Sequence, residues 1–260
     1  MAGFYVLKIR LIVPQTLKSP MDRLTTLVEK FHLTVKPASP EGANLVAVAS
    51  PRGVPDQVIF FTRGQPGACV VPVLMAVRVD WSGLSNPLMA ALPDRVILDL
   101  AQHPDARALV DLIQSEQTGA RCGAQSVINR LGEALMVRLL RDQIERGTAE
   151  IGLLAGLADP RLHRAIVSMH DHPGRLWTTA DLADIAGLSR SRFAELFAAK
   201  VGETPIGYLR RWRLILARQD AARGDRIEAI ARRYAYNSAE SFTRAFRREY
   251  GTAPSILRGP

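Results

Sequence analysis

The period of the apolar positions changes twice along this chain. Between residues 22 and 32, Leu24, Leu27, Val28 and Phe31 recur at helical spacing, which predicts one buried helix face. From 33 to 100 that period disappears. LTVKPA, NLVAVAS, QVIFFTRG, ACVVPVLMAVRVDW and DRVILDL are short β-branched runs separated by Pro and Gly, and they predict strands of a small sheet or partial barrel. The helical period returns over 105–118 and 124–146. In the second of these, Val127, Leu131, Leu135, Leu139 and Ile144 form a broad stripe suited to packing on the sheet or on a second subunit. Residues 147–160 read as a Gly-containing connector, and everything beyond Pro160 reads as helix and turn. The fold class expected is therefore α+β, with a small β-rich N-terminal domain that also carries helices and an all-α domain after it.

Within the helical region a short pattern occurs twice. Shifting by 49 residues lays Ser189 on Ser238, Phe193 on Phe242, Phe197 on Phe246, Gly202 on Gly251 and Pro205 on Pro254. Upstream the match resumes at an offset of 45, with Leu182 on Ile227, Ile185 on Ile230 and Ala186 on Ala231. Each copy reads as a short helix, a turn and a second helix, and the second copy's turn is expected to be four residues longer. Two copies are too few for a solenoid, so the pattern reads as paired modules.

Composition sharpens this. The chain of 260 residues carries a net charge of +9, and residues 151–260 hold 18 Lys and Arg against 11 Asp and Glu, or +7 of that excess. Seventeen of those 18 cations are Arg, whose planar fork of donors suits phosphate and guanine edges. The two cysteines, Cys69 and Cys122, are too few for a disulfide framework and are expected as buried small apolar residues in a reducing cytoplasm. No run of 18 apolar residues exists, so a membrane partner is not expected. Met21 opens a cleaner amphipathic segment than the initial MAGFYVLKIRLIV, so residues 1–20 read as a dispensable extension.

The first module shows how such a unit is specified. Thr178 is an N-cap with Asp181 three residues on, close to a capping box. Gly187 ends that helix, Leu188 plugs the turn, and Ser189 caps a second helix with Phe193, Leu196 and Phe197 facing inward. A short helix, a tight turn and a second helix with a polar, Arg-bearing face is a helix-turn-helix. A linking helix over roughly 205–219 can bridge the two units.

Here LADIAGLSRSRFAELFAAKVGETPIGYLRRWRLILA, followed by IEAIARRYAYNSAESFTRAFRREYGTAPSILR, resembles the DNA-binding domain of the AraC/XylS family of bacterial transcription regulators, over about 100 residues. GACVVPVLMAVRVDW, LMAALPDRVILDL and LADPRLHRAIVSMHDHPGRLWT resemble, more loosely, a subgroup whose N-terminal half is a degenerate cupin. The resemblance implies a cupin-like sensor or dimerisation domain over 21–147, a linker over 148–160 and a DNA-binding domain over 161–260. It implies double-stranded DNA as partner, with a small-molecule effector, RNA polymerase and a second copy of the chain as further candidates. Carried over by position, Ser191, Ala194 and Glu195 face bases from the first recognition helix, with Arg190 and Arg192 near phosphates. From the second, Glu240, Ser241 and Arg244 face bases, with Arg247 and Arg248 near the backbone. Arg213 in the linking helix supports the DNA-facing surface or contacts a phosphate. The chain departs from the family at Ala235, where a glycine is usual, and at Leu257, where an aromatic is usual.

Other signals are set aside. Trp177, Trp212, Phe193, Phe197, Phe242 and Phe246 are expected in the core rather than as a stacking platform. His170 and His172 straddle Asp171 and read as a solvated helix end, and no metal or cofactor is expected. An enzyme with a DNA-binding tail would need clustered catalytic polar residues over 33–100, which the sequence lacks; no P-loop, dinucleotide fingerprint, GxSxG or HExxH occurs. The chain is therefore expected not to be an enzyme.

Overall fold

The computed structural model describes residues 23–63, 71–81, 86–119, 121–147 and 151–257. The expectations for residues 1–20 and for Cys69 lie outside these residues.

The N-terminal half is an antiparallel sheet with helices on it. Helix α1 (Thr25–Lys30) precedes β1 (Thr34–Pro37), β2 (Leu45–Ala49), β3 (Pro55–Phe61), β4 (Val73–Asp80), a short α2 (Pro87–Ala91) and β5 (Arg95–Asp99). Each strand overlaps one of the β-branched runs. The sheet order is β1-β4-β2-β3-β5, with every described neighbour pair antiparallel. Alternation along the strands sends Val35, Leu45, Ala47, Val58, Phe60, Met75, Val77 and Leu98 into the main core. The opposite face carries a smaller cluster of Ala43, Val46, Val48 and Ala76.

Two long helices, α3 (Pro104–Gly119) and α4 (Ala124–Arg146), pack on each other, and α4 closes the edge at β1. Gln125 Nε2 donates to the Val35 carbonyl at 3.0 Å, and the Val35 N–H donates to Asn129 Oδ1 at 2.7 Å. Side chains of α4 thus satisfy backbone groups that an open edge would leave exposed. The approach is close: a Cβ on Gly132 would lie 2.6 Å from Val35 Cγ1. This contact rotates the buried stripe from the one expected. Ile128, Gly132, Leu135, Met136, Leu139, Leu140 and Ile144 face inward, and Val127 is exposed. Cys122, expected to be buried, is exposed in the turn before Gly123.

The connector differs from its expectation. Residues 153–158 form a helix, α5 (Leu153–Ala158), and Leu153 to Leu157 are all buried. A run of LLAGLA has no polar face from which a helical period can be read, so its helicity depends on being buried on every side. After it come α6 (Leu162–Asp171), α7 (Thr179–Ala186), α8 (Arg190–Val201), α9 (Pro205–Ala222), α10 (Ile227–Arg233), α11 (Ala239–Tyr250) and a 3-10 turn over Pro254–Leu257. One continuous apolar core runs from the sheet through α5 into these helices.

The joint between the halves centres on Phe31. Its carbonyl accepts from Trp81 Nε1 at 3.0 Å, and its ring lies 5.9 Å from that of Trp212 in α9. The Arg23 guanidinium donates to the Leu157 carbonyl at 2.9 Å, and the Thr26 hydroxyl donates to Asp171. Beneath this joint His170 is fully buried rather than solvated as expected. It lies 4.3 Å from the Trp212 ring and shares a hydrogen bond with the Tyr208 hydroxyl. Burial disfavours its charged form and lowers its pKa to about 3.

Candidate nucleic-acid interface

Local chemistry specifies the first helix pair. Thr178 and Asp181 close a reciprocal capping box at the start of α7. Gly187 ends the helix at φ 66, its N–H donating to Asp184 and the next N–H, of Leu188, donating to Ala183. This six-to-one bond with a left-handed residue is a Schellman turn. Ser189 then accepts from the Arg192 N–H and opens α8. Phe193 and Phe197 are fully buried with rings 5.6 Å apart, and Phe197 meets Tyr208 of α9 edge-on at 5.8 Å.

The second pair repeats this construction with one change. Ala235 N–H donates to Arg232 and Tyr236 N–H to Ala231, the same pattern as at Gly187, and Ala235 has φ 58. It is the one non-glycine residue with positive φ among the described residues. The glycine usual in the family's turn is thus replaced by a residue that enters the left-handed region at a cost. Ser238 and Ser241 form a capping box at the start of α11, and Phe242 and Phe246 are buried with rings 5.6 Å apart.

The two turns correct the expected alignment. Leu182, Ala183, Ala186 and Gly187 correspond in burial and bonding to Ile230, Ala231, Tyr234 and Ala235, an offset of 48 rather than 45. The second turn is therefore one residue longer than the first, not four. Ile227 and Ile230 are both apolar, and only the packing distinguishes the half-buried first residue of α10 from its fully buried centre.

The linking helix α9 is capped by Thr204 with Pro205 at its first position, and its 18 residues span about 27 Å at 1.5 Å per residue. Its far end is tied to α10 by Asp220, which is 2% exposed. This carboxylate accepts from Arg223, Arg233 and, at 2.7 Å, the Tyr234 hydroxyl. Asp225 also accepts from Arg233 at 2.7 Å, and its hydrogen bond, with that to Asp220, raises the Arg233 pKa. Midway along α9 Arg213 donates to the carbonyls of Pro173 at 2.6 Å and Arg175 at 2.7 Å. These bonds brace the 173–175 turn. Burial lowers its pKa.

The cations of this half therefore divide into two groups. Arg211 pairs with Glu203, and Arg223 and Arg233 pair with Asp220. Arg190, Arg244, Arg247 and Arg248 are exposed and form no salt bridge among the described residues. All four lie on α8 or α11; Arg210 on α9, Arg226 at the start of α10 and Arg232 within it are likewise exposed and form no salt bridge among the described residues. Ser191 and Glu195 are exposed on α8, Ala194 is half-buried, and Glu195 lies 3.7 Å from Arg192. On α11 Glu240 is exposed; hydrogen bonding by Ser238 contributes most to lowering its pKa, and Arg244 adds to this. Ser241, expected at the base face, also serves the helix cap. Its hydroxyl donates to the Ser238 carbonyl at 2.8 Å and accepts from the Ser238 N–H. Trp177, Trp212 and the four phenylalanines lie in the core. Among the described residues no helix is long and apolar enough to cross a membrane, and no group of three or more His, Cys, Asp or Glu residues is placed to hold a metal.

The chain is similar to several known proteins. A family model described as a helix-turn-helix domain matches residues 182–259, and one described as a cupin matches residues 29–145. A putative AraC-like transcription regulator of Streptomyces lividans is 38% identical over 148 residues, covering 56% of this chain and 49% of that protein. The HTH-type transcriptional regulator AlkR of Acinetobacter baylyi is 31% identical over 180 residues, covering 67% of this chain and 59% of that protein. Among solved structures, a transcriptional regulator of the AraC-type DNA-binding class from Chromobacterium violaceum is similar at 27% identity and a TM-score of 0.37, over 38% of this chain and 89% of that one. The chain thus spans 49% and 59% of the length of these two curated relatives.

Proposed function

We propose that this chain, which carries an AraC-type helix-turn-helix domain behind a cupin domain, is a cytoplasmic, non-enzymatic transcription regulator that reads two successive major grooves of DNA. The observation that carries the reading is the pairing of α8 and α11. Each is opened by a Ser cap, anchored by two buried phenylalanines and armed with exposed arginines, and α9 joins them as one continuous helix. In this reading Ser191, Ala194, Glu195, Glu240 and Arg244 face bases. Arg can fork onto a guanine, and a Glu can accept from cytosine N4. Arg190, Arg192, Arg247 and Arg248 bind phosphates, while Arg213 holds the surface in place. The cupin domain over 21–147 senses a small-molecule effector or joins two copies of the chain, and the DNA-binding domain occupies 161–260.

Four phosphate contacts predict a slope of about −3.6 for log K against log salt concentration on a duplex selected from a random pool by the full chain, from roughly −0.9 per neutralised phosphate. A slope near zero would mean that the arginine face meets no phosphate backbone and that the reading is wrong.

A further inference from the structure

The two recognition helices are held very differently. The main packing partners of α10 and α11 are α9, each other and the 254–257 turn. Helix α8 packs on α7 and α9 and also on α5, and α5 in turn packs on α4 and α2 of the cupin half. The contact between α5 and α8 is tight. The Gly152 N–H donates to the Lys200 carbonyl at 2.9 Å, so the start of α5 is bonded to the last turn of α8. A Cβ on Gly156 would lie 2.8 Å from Val201 Cγ2 on α8 and 2.7 Å from Ile166 Cδ1 on α6. Gly156 is therefore a glycine by virtue of its neighbours. It lets α5 sit against α8 with no room for one further methyl.

We propose that α5 is a positioning wedge through which the cupin half sets the placement of α8 and not of α11. The first module is then the regulated one and the second the constant anchor, an inference that rests on α8 and α11 being the DNA-reading helices. Any shift of α4 or α2 reaches α8 across a single layer of close-packed side chains, and close-packed contacts move as blocks rather than deforming smoothly. The path to α11 is less direct, along α9 or through the 173–175 turn, where a Cβ on Gly174 would collide with the Arg233 carbonyl oxygen.

Hydrogen exchange on the full chain without DNA tests this independently of the DNA reading. In Gly156→Ala the added methyl forces α8 away from α5. Amides of residues 194–201 should exchange on the order of tenfold faster, while those of 243–250 keep their wild-type rates. The double variant Gly156→Ala with Val201→Ala removes the methyl that opposes the new Cβ on α8, leaving Ile166 Cδ1 of α6 in place, and should restore exchange in α8 towards wild type. Equal acceleration in both helices, none in either, or no restoration in the double variant would overturn the proposal. If Gly156→Ala does not fold, Val201→Ala alone opens the same contact without overfilling it. It should accelerate exchange in α8 selectively, and failure to do so counts equally against the wedge. With a duplex selected by the wild-type chain, Gly156→Ala should lose protection over the first box and keep it over the second; loss over both would also overturn the proposal. If the wild-type chain selects no duplex, the DNA reading fails, while the exchange result still decides the wedge.

Discussion

Replacing Ala235 by Gly should stabilise the protein, and replacing Gly187 by Ala should destabilise it. The two positions have the same turn geometry, with φ 58 at Ala235 and φ 66 at Gly187. A Cβ at Gly187 meets nothing within 4 Å, so the cost of Gly187→Ala is torsional rather than steric. A residue with a Cβ spends about 1–2 kcal/mol in the left-handed region. Against this, glycine adds roughly 0.4–1 kcal/mol of unfolded-chain freedom. The difference leaves Ala235→Gly more stable by about 0.5–1 kcal/mol and Gly187→Ala less stable by a similar amount. For a chain of this size that is a rise of about 1–4 °C in Tm for the first and a comparable fall for the second. Thermal unfolding of both variants beside wild type measures it. Because the gain belongs to the α10–α11 turn, exchange of the Tyr236 amide, which donates to Ala231, should slow in Ala235→Gly. If Ala235→Gly lowers Tm or leaves it unchanged while Gly187→Ala lowers it, left-handed strain at Ala235 is not what limits the second module.

His170 binds no proton in the folded chain until about pH 3, whereas exposed in the unfolded chain it binds one below about pH 6.5. The unfolded state therefore gains protons first, and stability is lost as pH falls from about 6.5 towards 3, at about 1.4 kcal/mol per pH unit. Between pH 7 and 5 wild type should lose about 2 kcal/mol more than His170→Gln in urea unfolding; equal losses would show that His170 is not held neutral. Arg244→Ala should weaken binding to the selected duplex by about 1–3 kcal/mol and relax preference at one base position, while Arg247→Ala should weaken all duplexes alike. Equal losses by both variants on selected and random DNA, measured by titration, would remove Arg244 from the base face.

Much of the architecture is legible in the chain because local chemistry specifies it. The strand runs, the Thr178, Ser189 and Ser238 caps and the phenylalanine pairs are all set by residues within a turn or two of one another, and the resemblance to the family rests on these positions. The unusual Ala235 is also visible, since only a left-handed residue closes such a turn. The features that depart from expectation depend on contacts distant in sequence. Helix α5 exists because cupin and DNA-binding elements bury it together, His170 is dry because Trp212 and Tyr208 cover it, and Cys122 is exposed because the turn between α3 and α4 leaves it uncovered. The offset of 45 fails because it matches isoleucine to isoleucine, whereas burial matches the middle of one helix to the middle of the other. The part Ser241 plays in the cap depends on a partner three residues upstream.

The most direct test of the central claim is a spacing experiment on the selected duplex. Helix α9 is continuous and is pinned at its middle by Arg213 on the 173–175 turn and near its C-terminal end by Asp220 on α10. In the proposed reading the two recognition helices are set at one distance, matched to boxes about 10 base pairs apart on one face of the duplex, with some bending of the DNA. Footprinting should show two short protected boxes per chain. Inserting five base pairs between them turns one box to the far face and should abolish tight binding, whereas a single protected box, or unchanged affinity after the insertion, would contradict the claim that both modules read DNA.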